Sequence, residues 1–81
     1  MDNVGKNIIF DSKFKLAMDY ASGSNIIYVG VAEPATTSGA ALWQIKKLSY
    51  DAVGNVTDLM FASGASTFSH VWNNRYGYQY E

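Results

Sequence analysis

The side chains able to do chemistry are few and scattered. His70 is the single histidine, and the chain has no cysteine. Acid–base or nucleophilic catalysis needs a base within reach of a nucleophile or a carboxylate. None stands near His70 in the chain, so it reads as a structural or surface histidine, and a structural zinc site has no ligand set to draw on. Asp51 and Asn55 could share a calcium ion across a turn, but Asx residues beside Gly54 are ordinary turn formers. Glu33 with Asp58 or Asp19 shows no spacing that would make a carboxylate pair. The glycines match no phosphate-cradling motif. The expectation is therefore a protein without catalytic residues, metal or cofactor, and not an enzyme.

The aromatic residues carry more content. Val71 to Tyr80 holds Trp72, the only arginine (Arg75) and three tyrosines spaced two apart. A period of two puts Tyr76, Tyr78 and Tyr80 on one face of an extended strand, with Arg75, Gly77 and Gln79 on the other. So many aromatics need a sheet beneath them or a partner beside them. Trp43 and Trp72 are expected in the core. Trp72, Arg75, Tyr76, Tyr78 and Tyr80 are also candidate interface residues, together with Ile8, Ile9 and Phe10 at the other end. Arg75 is expected to pair with a carboxylate or stack on a ring. Asn73 and Asn74 read as a turn or bulge before the last strand.

The elements that must position these residues read as strands. Residues 1–13 carry one apolar patch, Asn7-Ile8-Ile9-Phe10, which reads as an N-terminal arm folding onto a neighbour or as an edge strand; residues 14–81 read as a single β-domain. Phe14 to Tyr20 alternates apolar and polar residues and is taken as a strand, although Phe14, Ala17, Met18 and Ala21 would also fit one helix face. Ala21-Ser22-Gly23-Ser24 is a turn. Asn25 to Ala32 is rich in β-branched residues and apolar on both faces, as in a central strand. Gly30 within it marks a bulge or a ring lying across the backbone, supplied by Tyr28 or Trp43. Glu33 to Ala40 is a loop. Ala41 to Tyr50 is a strand whose pattern slips at Lys46-Lys47, as a β-bulge would make it. Asp51 to Asn55 makes a hairpin turn with positive φ at Gly54 or Asn55. Val56 to Ala62 returns, with Leu59 and Phe61 on one side and Asp58 and Met60 on the other. Ser63 to Thr67 is a second turn, and the phrases Tyr20-Ala21-Ser22-Gly23 and Phe61-Ala62-Ser63-Gly64 share turn chemistry. The sum is an all-β fold: a small antiparallel sandwich or open barrel of about five or six strands.

Size and charge narrow the partners. A domain of 81 residues without disulfides has little stability in reserve, which points to oligomerisation or docking on a larger assembly. The formal net charge of −1 gives no reason to expect nucleic acid or anionic membrane as a partner. No apolar run approaches a membrane span of about 20 residues, and residues 1–6 lack the pattern of a signal peptide.

With these residues in view, the chain resembles a family of small virion structural proteins of tailed bacteriophages. The matching phrases run in order: Ile27-Tyr28-Val29-Gly30-Val31-Ala32-Glu33-Pro34, then Trp43-Gln44-Ile45-Lys46-Lys47, then Tyr50 to Asn55, then Phe68 through Trp72-Asn73-Asn74-Arg75 to Tyr78 and Tyr80. The chain departs from the family pattern at Asn73 and Asn74, where acids are usual, and at Ser63-Gly64. The resemblance implies a capsid cement or a head or tail accessory, made in the host cytoplasm and residing in the virion. Its partners would be other virion proteins, in a homo-oligomer or docked on a symmetric assembly. A rival reading from the residues alone is a carbohydrate- or receptor-binding β-module using exposed aromatics.

Overall fold

The computed structural model describes residues 14–81; the expected arm with Ile8, Ile9 and Phe10 lies outside them. The described chain is all-β: β1 (Lys15–Asp19), β2 (Tyr28–Ala32), β3 (Ala41–Tyr50), β4 (Val56–Phe61) and β5 (His70–Val71), followed by a 3-10 helix, Trp72–Gly77. The strands form one antiparallel sheet in the order β1-β2-β3-β4, with β5 paired to β3. β1 to β4 lie side by side in chain order, and only β5 passes over its predecessor to reach β3. Asp51 Oδ1 accepts the N–H groups of Val53 and Asn55, and Gly54 takes φ +94° in that hairpin. The two similar phrases do make similar turns: Gly23 N–H donates to the Tyr20 carbonyl and Gly64 N–H to that of Phe61, with Ser22 and Ser63 both at positive φ.

Register assigns the two faces. Cross-strand partners share a face. Lys15, Ala17 and Asp19 pair with Ala32, Gly30 and Tyr28; Tyr28 and Gly30 pair with Lys47 and Ile45. This inner face holds the core, in which Tyr28, Ala32, Trp43, Ile45, Ala62 and Trp72 are buried. Leu16 and Met18 pair with Val31 and Val29, these with Gln44 and Lys46, and Lys46 and Leu48 with Phe61 and Leu59. That set is the outer face. It explains why β2 is apolar on both sides.

Two sequence expectations change here. The slip at Lys46-Lys47 does not occur, since both residues stay in register with β2 and β4. Lys47 holds a core-side position because its ammonium lies 5.7 Å from the Tyr28 ring centre and 5.9 Å from that of Tyr80, an arrangement that lets a lysine stem cover aromatic surface. The register shifts of β3 fall instead between Ser49 and Tyr50 against β4 and between Ala41 and Trp43 against β5. The second change is the chain end. No strand runs through Tyr76, Tyr78 and Tyr80; residues 72–77 are a 3-10 helix, Asn73 and Asn74 lie inside it, and Tyr80 makes an isolated bridge to Ala62. The reason is a spacing of three. Residues three apart eclipse in a 3-10 helix, so Arg75 lies back over Trp72, 4.4 Å from its ring centre, and its Nη1 donates to the Trp72 carbonyl.

Candidate functional site

Gly30 makes the slot in which the chain end is seated. The nearest atoms to a Cβ built there would be Trp72 Cε3 at 2.5 Å and Trp43 Cε3 at 2.9 Å. A ring does cross this glycine, as the sequence suggested, and Trp43 is part of it. Trp72 lies closer, and Tyr28 is not among the nearest atoms. The two indole rings sit 5.6 Å apart. Trp43 Nε1 donates to the Thr37 carbonyl, which anchors the long loop, and Asn73 N–H donates to Ser38 in the same loop.

The aromatic end acts as a clasp across the inner face. Arg75 does both of the things expected as alternatives: its Nε contacts Asp19 Oδ2 at 2.8 Å while its guanidinium stacks on Trp72 and Tyr76. The Tyr76 hydroxyl donates to the same Asp19 oxygen, and Ala21 N–H donates to Oδ1. The Tyr76 hydroxyl, then the Ala21 amide and Arg75, hold the Asp19 carboxyl down at about 2, against an ordinary 3.8. Tyr80 packs on Tyr28 at 5.5 Å and donates to the Arg75 carbonyl; burial, foremost, pushes its hydroxyl up to about 12. The Tyr78 oxygen accepts the Val71 N–H, and its ring meets His70 edge-on at 4.7 Å. His70 is buried, with Nδ1 unpartnered. Among the described interface candidates, Trp72 is thus buried and Arg75, Tyr78 and Tyr80 are half-buried in the chain's own clasp. Tyr76 alone is largely exposed, at 61%. It lines an open groove of about 450 Å³ with Asn73, Asn74, Gly77 and Tyr78.

The larger exposed surface is the outer face. Leu16, Met18 and Leu59 are 57%, 49% and 52% exposed, and Val29, Val31, Leu48 and Phe61 are half-buried between them. Lys46 is the one charged residue of the paired positions on this face, with its ammonium 6.0 Å from the Phe61 ring centre. At one end the loop after β4 touches it: Gln44 Nε2 donates to the Ser66 carbonyl, and Phe68 stacks on Phe14 at 5.7 Å. Across the rest, no described element covers the face. Sequence reasoning concentrated on the tyrosines and missed this surface. Its signal was present in the alternation of Phe14, Leu16, Met18 and Tyr20 and in a second strand apolar on both sides.

Among the described residues no group of three or more His, Cys, Asp or Glu is placed to hold a metal ion, and no helix is long and apolar enough to cross a membrane. Comparison of the chain with family models, curated proteins and solved structures finds no match.

Proposed function

We propose that this chain is a non-enzymatic structural protein of a tailed-bacteriophage virion, a capsid cement or a head or tail accessory that works through protein–protein contacts. The observation that carries the reading is the asymmetry of the sheet. The inner face is closed by the chain's own Trp72, Arg75 and tyrosines, while the outer face presents Leu16, Met18 and Leu59 to solvent. Exposed apolar side chains gathered on one sheet face, interrupted only by Gln44 and Lys46 of β3, mark a contact site on a small domain. The placement on a virion rests on the resemblance of the ordered phrases to those of small phage structural proteins.

The test uses particles produced by the genome that encodes the chain. Banded particles should contain it at a fixed copy number. Leu59→Glu, on the outer face, should leave the melting temperature of the isolated protein unchanged and remove it from the band. Absence of the wild-type chain from particles overturns the virion reading; retention of Leu59→Glu overturns the role of the face. A second reading, glycan binding, is favoured by the groove in which exposed Tyr76 lies beside Asn73 and Asn74. Glycan capture that is lost in Asn74→Ala, by protein absent from particles, would establish it instead.

A further inference from the structure

We propose that β1 pairs antiparallel with β1 of a second copy, about a two-fold axis at Ala17, so that two sheets join into one. The inference rests on the reading that this chain works through protein contacts, and it names one of them.

β1 lies at the end of the strand order and, among the described residues, is paired on one side only. Its backbone supplies the first argument. Asp19 turns its carbonyl toward the β2 side, where Ile27 N–H donates to it. Hydrogen-bonding direction alternates along an antiparallel strand. Lys15, Ala17 and Asp19 therefore face β2, and Leu16 and Met18 turn their N–H and C=O groups to the free edge. Such an edge is a template for another strand unless something blunts it. Proline and bulges are absent from β1, whose register with β2 runs without a shift; its sequence, Lys-Leu-Ala-Met-Asp, does carry two inward-facing charges, Lys15 and Asp19, which discourage most partners and which a second copy can neutralise.

The side chains select the partner and the register. Centred on Ala17, antiparallel self-pairing sets Lys15 opposite Asp19 of the second copy, Asp19 opposite Lys15, and Leu16 opposite Met18. Centred on Lys15 it would set lysine against lysine, and centred on Asp19 aspartate against aspartate, which is destabilising for directly opposed residues. Centred on Leu16 or Met18 it would leave each charge opposite an apolar residue or no strand residue. The hydrogen-bonding parity agrees with the Ala17 register. Leu16 and Met18, whose polar groups point outward, become the bonded pair, and Ala17 meets Ala17 as a non-bonded pair. Asp19 can take the new contact: a carboxylate has about four acceptor positions, and Ala21, Arg75 and Tyr76 use three; the Lys15 ammonium, 5.6 Å from the Trp43 ring centre, keeps its three donors for the opposed carboxylate. The joined sheets would place Leu16 and Met18 of both copies in one apolar stripe, continuous with each outer face.

The chain has no cysteine, so engineered disulfides report the register directly. Cα atoms of a non-bonded antiparallel pair lie about 4.5 Å apart, within the span a disulfide bridges. The Ala17→Cys protein, residues 1–81, should form a covalent dimer under mild oxidation. Leu16→Cys and Met18→Cys should each stay largely monomeric alone and cross-link when mixed. Without oxidation, sedimentation should give a dimer, and Lys15→Glu should weaken it about tenfold by opposing like charges. A wild-type monomer at high concentration, with folded Ala17→Cys that does not cross-link, overturns the proposal. So does a monomer in which the Leu16 and Met18 amides resist hydrogen exchange, since the chain's own residues would then hold the edge. A monomer that still enters particles through the outer face overturns the dimer alone; a dimer absent from particles overturns the virion reading alone.

Discussion

Gly30→Ala adds one methyl group at the point where the chain end is seated. The new carbon would lie 2.5 Å from Trp72 Cε3, 2.7 Å from Trp72 Cζ3 and 2.9 Å from Trp43 Cε3. Carbon atoms rest at about 3.5–4.0 Å, so three contacts are each too short by roughly 1 Å. Neither ring is free to retreat. Trp43 is 2% exposed and tied by its Nε1 to Thr37. Trp72 carries Arg75 on its ring at 4.4 Å, so displacing it disturbs the stack and, through Arg75, the contact with Asp19. Overpacking of this kind costs about 1–3 kcal/mol, and the broken stack places the expected loss toward the upper end. Reduced freedom of the unfolded chain offsets only about 0.4–1 kcal/mol. A net loss of about 2 kcal/mol lowers the melting temperature of a domain this size by roughly 8–16 °C. Thermal denaturation followed by near-ultraviolet circular dichroism measures it, because the signal comes from the packed indoles. Combining Gly30→Ala with Trp72→Leu should recover part of the loss, giving a non-additive cycle. A Gly30→Ala protein that melts at or above the wild-type temperature would refute the seating of Trp72 on this glycine.

Two further outcomes follow from the same geometry. Gly54 sits at φ +94° with nothing within 4 Å of a Cβ placed there, so Gly54→Val should cost about 1 kcal/mol or more from backbone conformation alone; unchanged thermal stability would show that the hairpin can adopt another turn. Asp19 titrates at about 2 in the folded chain against an ordinary 3.8. A depressed carboxyl contributes stability that is complete above its unfolded value and is lost as pH falls through its folded value. Denaturant midpoints should therefore decline between roughly pH 4 and 2, and less steeply in Asp19→Asn; equal slopes in both proteins would remove Asp19 as a cause.

What was legible in the sequence was whatever neighbours decide. β3 begins and ends where small residues and the Asp51–Asn55 turn bracket it, and its bounds, Ala41–Tyr50, are those read from the residues. The hairpin, the paired turn phrases and the stacking of Arg75 on Trp72 were equally local in their chemistry; a carboxylate partner for Arg75 was expected, but its identity as Asp19, 56 positions away, was not legible. The chain end was misread because two periods coexist in it. The tyrosines repeat every two residues, which reads as a strand, while Trp72 and Arg75 are spaced by three, which is the period of the 3-10 helix that forms. Choosing between them needs the slot at Gly30, a contact 42 positions away along the chain (72 minus 30). Lys47 misled for a related reason, since a charged residue on a core face is sensible only once Tyr28 and Tyr80 are beneath it.

The clasp also explains how a five-residue strand with one neighbour among the described residues can be held rigidly in the sheet. β1 is short, and its outer-face residues Leu16 and Met18 contribute little burial. Its inner side is fixed at three successive alternate positions. Lys15 extends to the Trp43 ring, 5.6 Å from its centre; Ala17 packs against the core; and Asp19 takes Arg75 and Tyr76 from the chain end. Each contact lies on the inner side of β1, so the outward N–H and C=O groups of Leu16 and Met18, which no described residue pairs, are held in place. Trp72 in its slot positions Arg75, Arg75 and Tyr76 fix Asp19, and Asp19 fixes the end of β1. By this chain of contacts a change at Gly30 should loosen the edge strand as well as the core. Amide exchange at Leu16 and Met18 in Gly30→Ala would report that coupling at the edge itself.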